Sequence, residues 1–207
     1  MQFNNKDRIL FIGDSITDSG RKEDNEMIGW GYVRLIRDYL HITNPNKSLH
    51  VLNKGVSGNR ISDLEARWKV DVIDLNPDYL SVSIGVNDVW RQLDHPEMEQ
   101  VFPDQYKEIY IRILEEVKEN TNATIILMEP TIIEEDLLAK GNQLLKAYVQ
   151  VVHEVAEEFE AIVVRTHQAF VTYLEAQNEQ PLTTDGVHMN SLGDMLMMKE
   201  WIEAVLG

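Results

Sequence analysis

Four short stretches of this 207-residue chain hold the side chains that could do chemistry. They are Gly13-Asp14-Ser15-Ile16-Thr17, Asn53-Lys54-Gly55-Val56-Ser57-Gly58-Asn59, Gly85-Val86-Asn87-Asp88 and Asp185-Gly186-Val187-His188. A serine hydroxyl is a weak nucleophile until a base takes its proton. Imidazole titrates near neutral pH, so His188 is the candidate base for Ser15. Asp185 precedes His188 by one turn of chain, close enough for its carboxylate to reach the second ring nitrogen. There it would fix the tautomer and stabilise the imidazolium, the logic of a Ser-His-Asp triad. Each stretch also has a plainer reading. Asp14 or Ser15 could cap a helix, Asn87-Asp88 could be an Asx turn, and Asp185-Gly186 a tight turn beside a surface histidine.

Other chemistries fit less well. With no cysteine in the chain, disulfides, thiolate catalysis and Cys-ligated zinc are excluded. Asp14 and Asp18 might suggest a magnesium phosphatase of the haloacid dehalogenase type. That chemistry needs a second carboxylate two residues on, where Ile16 stands. Ser15 also lacks the flanking glycine pair of a G-x-S-x-G elbow, since Thr17 stands at the second position. The remaining histidines, His41, His50, His95, His153 and His167, are scattered without metal-ligand spacing and read as surface or core residues, so no metal is expected. A net charge of −16 repels nucleic acid and anionic membranes, and neither is expected as a partner. The polar start and the lack of a long apolar run lead to the expectation of a soluble cytoplasmic protein.

The four stretches are useful only if the fold gathers them. Ile9-Leu10-Phe11-Ile12, Leu49-His50-Val51-Leu52, Tyr79–Ile84, Ala123–Met128 and Ala161-Ile162-Val163-Val164 are short apolar runs that read as strands buried on both faces. Between and after them, apolar residues recur at helical spacing over 32–40, 61–75, 106–117, 144–159 and 191–206. Strand and helix thus alternate about five times. That pattern predicts an α/β fold, a three-layer α/β/α sandwich on a five-stranded parallel sheet. No linker, repeat or low-complexity segment divides it, so residues 1–207 are expected to form one domain. Ligands bind such sheets at the carboxyl ends of the strands, and three of the stretches follow predicted strands.

The blocks G-D-S, glycine, G-x-N-D and D-x-x-H, in that order from Gly13 to His188, resemble the SGNH (GDSL-type) hydrolases. The one departure is Ile16, where the motif often has Leu. The resemblance implies a flavodoxin-like sandwich and ester hydrolysis through an acyl-enzyme on Ser15, with Asp185 and His188 completing the catalytic set. It implies an oxyanion hole from the Ser15 N–H, the Gly58 N–H and the Asn87 amide, and it requires no metal or organic cofactor. The stretches 53–59, Glu65-Ala66-Arg67-Trp68 and 87–92 are similar to bacterial acetylxylan esterases of the family, which implies an acetylated sugar as substrate. Trp90 and Arg91, with Asp14, form the expected substrate-binding set, because a Trp face stacks on sugar rings and Arg donates to hydroxyls. A homo-oligomer would fit the family. A lysophospholipase or thioesterase, or a non-catalytic sugar- or partner-binding module, are the alternative readings. The segment Arg21–Met27 is a candidate flap beside the nucleophile.

Overall fold

A computed structural model describes residues 2–176 and 179–207. Its centre is a five-stranded, all-parallel sheet of β1 (Arg8–Gly13), β2 (His50–Gly55), β3 (Tyr79–Ser83), β4 (Thr124–Met128) and β5 (Ile162–Val164), in the order β2-β1-β3-β4-β5. Ile9, Leu10, Phe11 and Ile12 are fully buried, and all five residues of β3 are buried. Continuous apolar strands of this kind require cover on both faces. On one side α2 (Tyr32–Thr43) packs on α8 (Ser191–Leu206), which also meets α7 (Thr166–Glu175). On the other, α5 (Pro103–Asn120) lies between α3 (Ile61–Asp71) and α6 (Lys140–Phe159). The three expected layers are present.

Two helices were not foreseen. Val86–Asp94 forms α4 directly after β3, and α7 follows β5. The helix expected over 61–75 ends at Asp71 and gives way to a separate 3₁₀ turn, Ile73–Leu75. Pro77 comes too late to explain the break; Val72 leaves helical geometry at ψ −64 with φ −127.

Register decides where the chemistry lies. Gly13 pairs with Gly55 on one side and with Ser83 on the other. The carboxyl ends of β1, β2 and β3 are therefore level, and the segments carrying Ser15, Gly58 and Asn87 leave the sheet side by side. Gly55 allows this closeness, since a Cβ there would lie 2.1 Å from the Asp18 backbone nitrogen. The strand order reverses direction between β1 and β3, the crevice where open α/β sheets bind ligands.

Candidate active site

The nucleophile segment is set from below. Asp14 ends the turn after β1, and its Oδ1 accepts from the Ile16 N–H at 3.0 Å, capping the short helix α1 (Ser15–Asp18). Ser15 is the first residue of that helix. Asp14 is 2% exposed. Burial pushes its carboxyl up to about 6, against the Ile16 N–H and the nearby His188, which favour the anion. Asp14, expected among the substrate-binding residues, is thus buried with one oxygen on the Ile16 N–H rather than on an open wall.

The base arrives from the far end of the chain. Thr183 and Met189 form an isolated antiparallel bridge, and the loop between them carries Asp185 and His188. Asp185 Oδ1 accepts from the N–H groups of Val187 (3.0 Å) and His188 (2.8 Å). Its Oδ2 lies 2.7 Å from His188 Nδ1. Partial burial works against the carboxylate, yet the His188 ring and the two N–H donors hold its pKa below the usual range. A carboxylate there makes Nδ1 the donor, which leaves Nε2 as an acceptor facing Ser15 Oγ at 2.9 Å. The His188 side chain is 39% exposed, open to substrate and water from its free side.

The expected oxyanion donors lie on the segments that leave β2 and β3, the strands on either side of β1. Gly58 has φ +82, the left-handed region that glycine occupies without strain. A Cβ there would meet nothing within 4 Å, so its backbone borders open space. Asn87 sits in the first turn of α4, is 3% exposed, and donates one amide hydrogen to Asn59 O at 3.1 Å. An amide has two hydrogens, so one stays available. Asp88, fully buried, accepts from the Ile61 N–H at 3.2 and 3.3 Å and so pins the start of α3 against α4. Burial pushes its carboxyl up to about 7, with the Ile61 N–H and Arg60 acting the other way.

Trp90 presents a ring to His188, with centroids 6.2 Å apart at an interplanar angle of 62°. The Arg91 guanidinium lies 5.5 Å from the Trp90 ring centroid and pairs with Asp94. Gln92 instead turns inward, to Asp88 O and the Tyr148 hydroxyl. The segment 21–27 is strapped rather than loose: Asp24 accepts from the N–H groups of Ile28 and Gly29, and Arg34 bridges Asp24 and Glu26 at 2.6 Å each.

Two supporting roles escaped the sequence reading, although Arg67 stands in a stretch that the resemblance had singled out. Arg67 donates to Gly13 O (3.1 Å), Lys54 O (2.8 Å) and Asn59 Oδ1 (2.8 Å), tying the ends of β1 and β2 to the residue that holds Asn87. Glu135 offers Oε1 to the N–H groups of Leu182 (3.0 Å) and Thr183 (2.7 Å) and to the Thr183 hydroxyl, which in turn accepts from the Gly186 N–H at 3.2 Å. Glu134 N donates to Gly186 O at 2.7 Å. The loop after β4 therefore grips the loop that carries the base. For Glu135 the sequence signal is its charge, which an exposed face explains equally well; Arg67 lies in the stretch 65–68 that resembles acetylxylan esterases, which gave it no role.

A parallel sheet with a hydrogen-bonded Ser-His-Asp chain over its carboxyl edge defines a serine-hydrolase type of site. The sequence places it further: residues 11–196 match the GDSL-like lipase/acylhydrolase family, and the chain belongs to that family. It is 36% identical over 212 residues to an acetylxylan esterase of Geobacillus stearothermophilus, covering 99% of this chain and 96% of that protein. The crystal structure of Axe2, an acetylxylan esterase from that organism, superposes with a TM-score of 0.92 at 36% identity, covering 100% of this chain and 97% of that one. LAE5, an α/β hydrolase from the metagenome of Lake Arreo, Spain, gives a TM-score of 0.90 at 32% identity, covering 98% and 96%. Structures of Axe2 described as catalytic mutants carry alanine in place of an aspartate, a serine or a histidine.

Proposed function

We propose that the chain acts as one esterase domain that removes acetyl groups from carbohydrates through an acyl-enzyme on Ser15. The observation that carries this reading is the continuous chain Ser15 Oγ–His188 Nε2 and His188 Nδ1–Asp185 Oδ2 at 2.9 and 2.7 Å. Ser15 Oγ attacks the ester carbonyl while its proton passes to His188 Nε2, and Asp185 stabilises the resulting imidazolium. The N–H groups of Ser15 and Gly58 and the free Asn87 hydrogen take the oxyanion. Collapse breaks the bond to the sugar oxygen, which leaves as an alcohol with the proton from His188. Water then enters on the exposed side of the ring, gives its proton to Nε2, and attacks the acetyl-serine. Ser15 recovers the proton as acetate departs.

The sugar-acetyl reading is supported by full-length likeness to acetylxylan esterases and by Trp90 at the mouth of the site, available to stack on a pyranose ring. Arg91, over that ring, is assigned to hydroxyls of the leaving sugar. Asp14 acts on the substrate only through Ser15. The cytoplasmic location and homo-oligomeric assembly belong to the same proposal. The absence of cysteine fits a reducing compartment. Among the described residues no helix is long and apolar enough to cross a membrane.

The test is acetate release from acetylated xylo-oligosaccharides by the wild type and by Ser15→Ala. Release by the wild type alone supports the proposal. Equal release by both, or a preference for long-chain acyl esters over acetyl sugars, contradicts it.

A further inference from the structure

The Gly58 N–H sits on a turn whose geometry leaves its direction open. Val56-Ser57-Gly58-Asn59 is closed by the Asn59 N–H on Val56 O at 3.2 Å. Gly58 has φ +82 and Ser57 has no positive φ, which makes this a type II turn. The donor N–H belongs to the peptide between Ser57 and Gly58, the central peptide of the turn. Types I and II differ chiefly by rotation of that peptide. The two ends of the turn do not prevent the rotation. The Val56 N–H is tied to Gly13 O at 3.0 Å and the Asn59 side chain to Arg67 at 2.8 Å, and neither bond touches the central peptide. Packing does not prevent it either, since a Cβ on Gly58 would meet nothing within 4 Å.

The Ser57 side chain does hold it. Its hydroxyl donates to Asp18 Oδ2 at 2.8 Å. Asp18 closes α1, three residues after Ser15, and is 8% exposed. Its N–H donates to Asp14 O at 2.9 Å, so it belongs to the same helical turn as the nucleophile. Asp18 Oδ1 faces Arg21 Nε at 3.6 Å, and that Nε donates to Gly55 O at 2.6 Å. Asn53 adds a parallel tie, donating to Thr17 O at 2.6 Å and accepting from the Gly55 N–H at 2.8 Å. α1 and the end of β2 are thus braced as one piece, and the Ser57 hydroxyl is where the brace meets the turn.

A plain tie between a loop and a helix would show the same bond, but its placement argues for more. Ser57 supplies the carbonyl half of the donor peptide, and its partner stands on the short helix that begins with Ser15, whose N–H is the companion donor. Donors serve a developing oxyanion only when their directions are set in advance. We infer that Asp18, acting through Ser57, is a positioning residue for the oxyanion hole. It holds the Ser57–Gly58 peptide in one orientation and so fixes the Gly58 N–H relative to the Ser15 N–H. This inference rests on the esterase reading of Ser15.

Nitrophenyl acetate hydrolysis tests it in the wild type, Ser15→Ala, Ser57→Ala, Ser57→Thr, Asp18→Ala and the double variant Ser57→Ala/Asp18→Ala. Active sites are counted by stoichiometric phosphonylation of the serine, and melting temperatures are read alongside. Ser57 is exposed, so both of its variants should fold. In Ser57→Ala, kcat per active site should fall about ten- to a hundredfold, less than the loss of a whole donor, with KM nearly unchanged. Ser57→Thr keeps the hydroxyl and should restore most of the rate. The double variant should be no slower than the slower single variant, because both changes remove the same bond. If Asp18→Ala does not fold, the Ser57 pair decides. A mere loop tie would lower the melting temperature or the number of active sites while leaving kcat per site unchanged, and that result overturns the inference. Equal losses in Ser57→Ala and Ser57→Thr, or additive losses in the double variant, overturn it too. Wild type no faster than Ser15→Ala overturns the esterase reading itself, and this inference with it.

Discussion

The two halves of the active site are held in different ways. Ser15 is placed by backbone: Gly13 is in register with Gly55 and Ser83, Asp14 caps α1, and the surroundings are buried. His188 is placed by side chains on a loop whose only ladder contact among the described residues is the Thr183–Met189 bridge, with Asp185, Thr183 and Glu135 doing the holding. The nucleophile's position follows from how the sheet pairs, so it fails only when the fold fails. The base's position rests on a few exposed or half-buried groups and can be loosened while the fold survives.

Substitutions that cut each half separately should break this comparison in order of size. Ser15→Ala and His188→Ala should each lower kcat on nitrophenyl acetate by on the order of 10⁶-fold with little change in melting temperature. Asn87→Ala should cost about 10² to 10³ in kcat, as expected for one oxyanion donor, while leaving Ser15 and His188 in contact. Glu135→Ala should lower kcat by about ten- to a hundredfold through a misplaced base, with KM nearly unchanged. Glu135→Gln keeps the accepting oxygen and should restore most of the rate. A loss equal in both variants would remove Glu135 from the account.

The buried carboxyls sharpen the other half. Asp88, raised to about 7 by burial, takes up its proton more readily in the folded than in the unfolded chain. Its contribution to stability is therefore fully present below about pH 4 and is lost as pH rises to about 7. Asp88→Asn should melt progressively higher relative to wild type across that interval, by on the order of a few kcal/mol at most; a pH-independent difference would count against a buried carboxylate. Asp14→Asn is the smallest change expected. The amide oxygen can still cap Ile16, but an anion near His188 is removed, and the imidazolium loses support. The acid limb of kcat/KM should move to lower pH by a fraction of a unit; movement to higher pH would contradict the placement.

Much of this was legible because the strands are unbroken apolar runs. Ile9–Ile12 and Tyr79–Ile84 mark β1 and β3, and the residues after them carry Ser15 and Asn87. The helices α4 and α7 were hidden for a local reason. Val86, Val89 and Leu93 have helical spacing, but the Asn87-Asp88 pair and a short span read as a turn. In α7 Phe170 and Leu174 are too few to outline a stripe. The roles of Arg67 and Glu135 were hidden for a non-local reason: their partners lie 54 residues back at Gly13 and 48 residues on at Thr183. Asp14 was expected to bind substrate, and its burial and its cap on the Ile16 N–H are not visible in the sequence.

The central claim is that an acetyl group passes through Ser15. Wild type mixed rapidly with a chromogenic acetate should give a burst of alcohol equal to the active enzyme, and quenched protein should carry one acetyl group on the peptide that contains Ser15. Ser15→Ala should show neither. Turnover without any acetylated peptide, or with the acetyl group on another residue, would contradict the account.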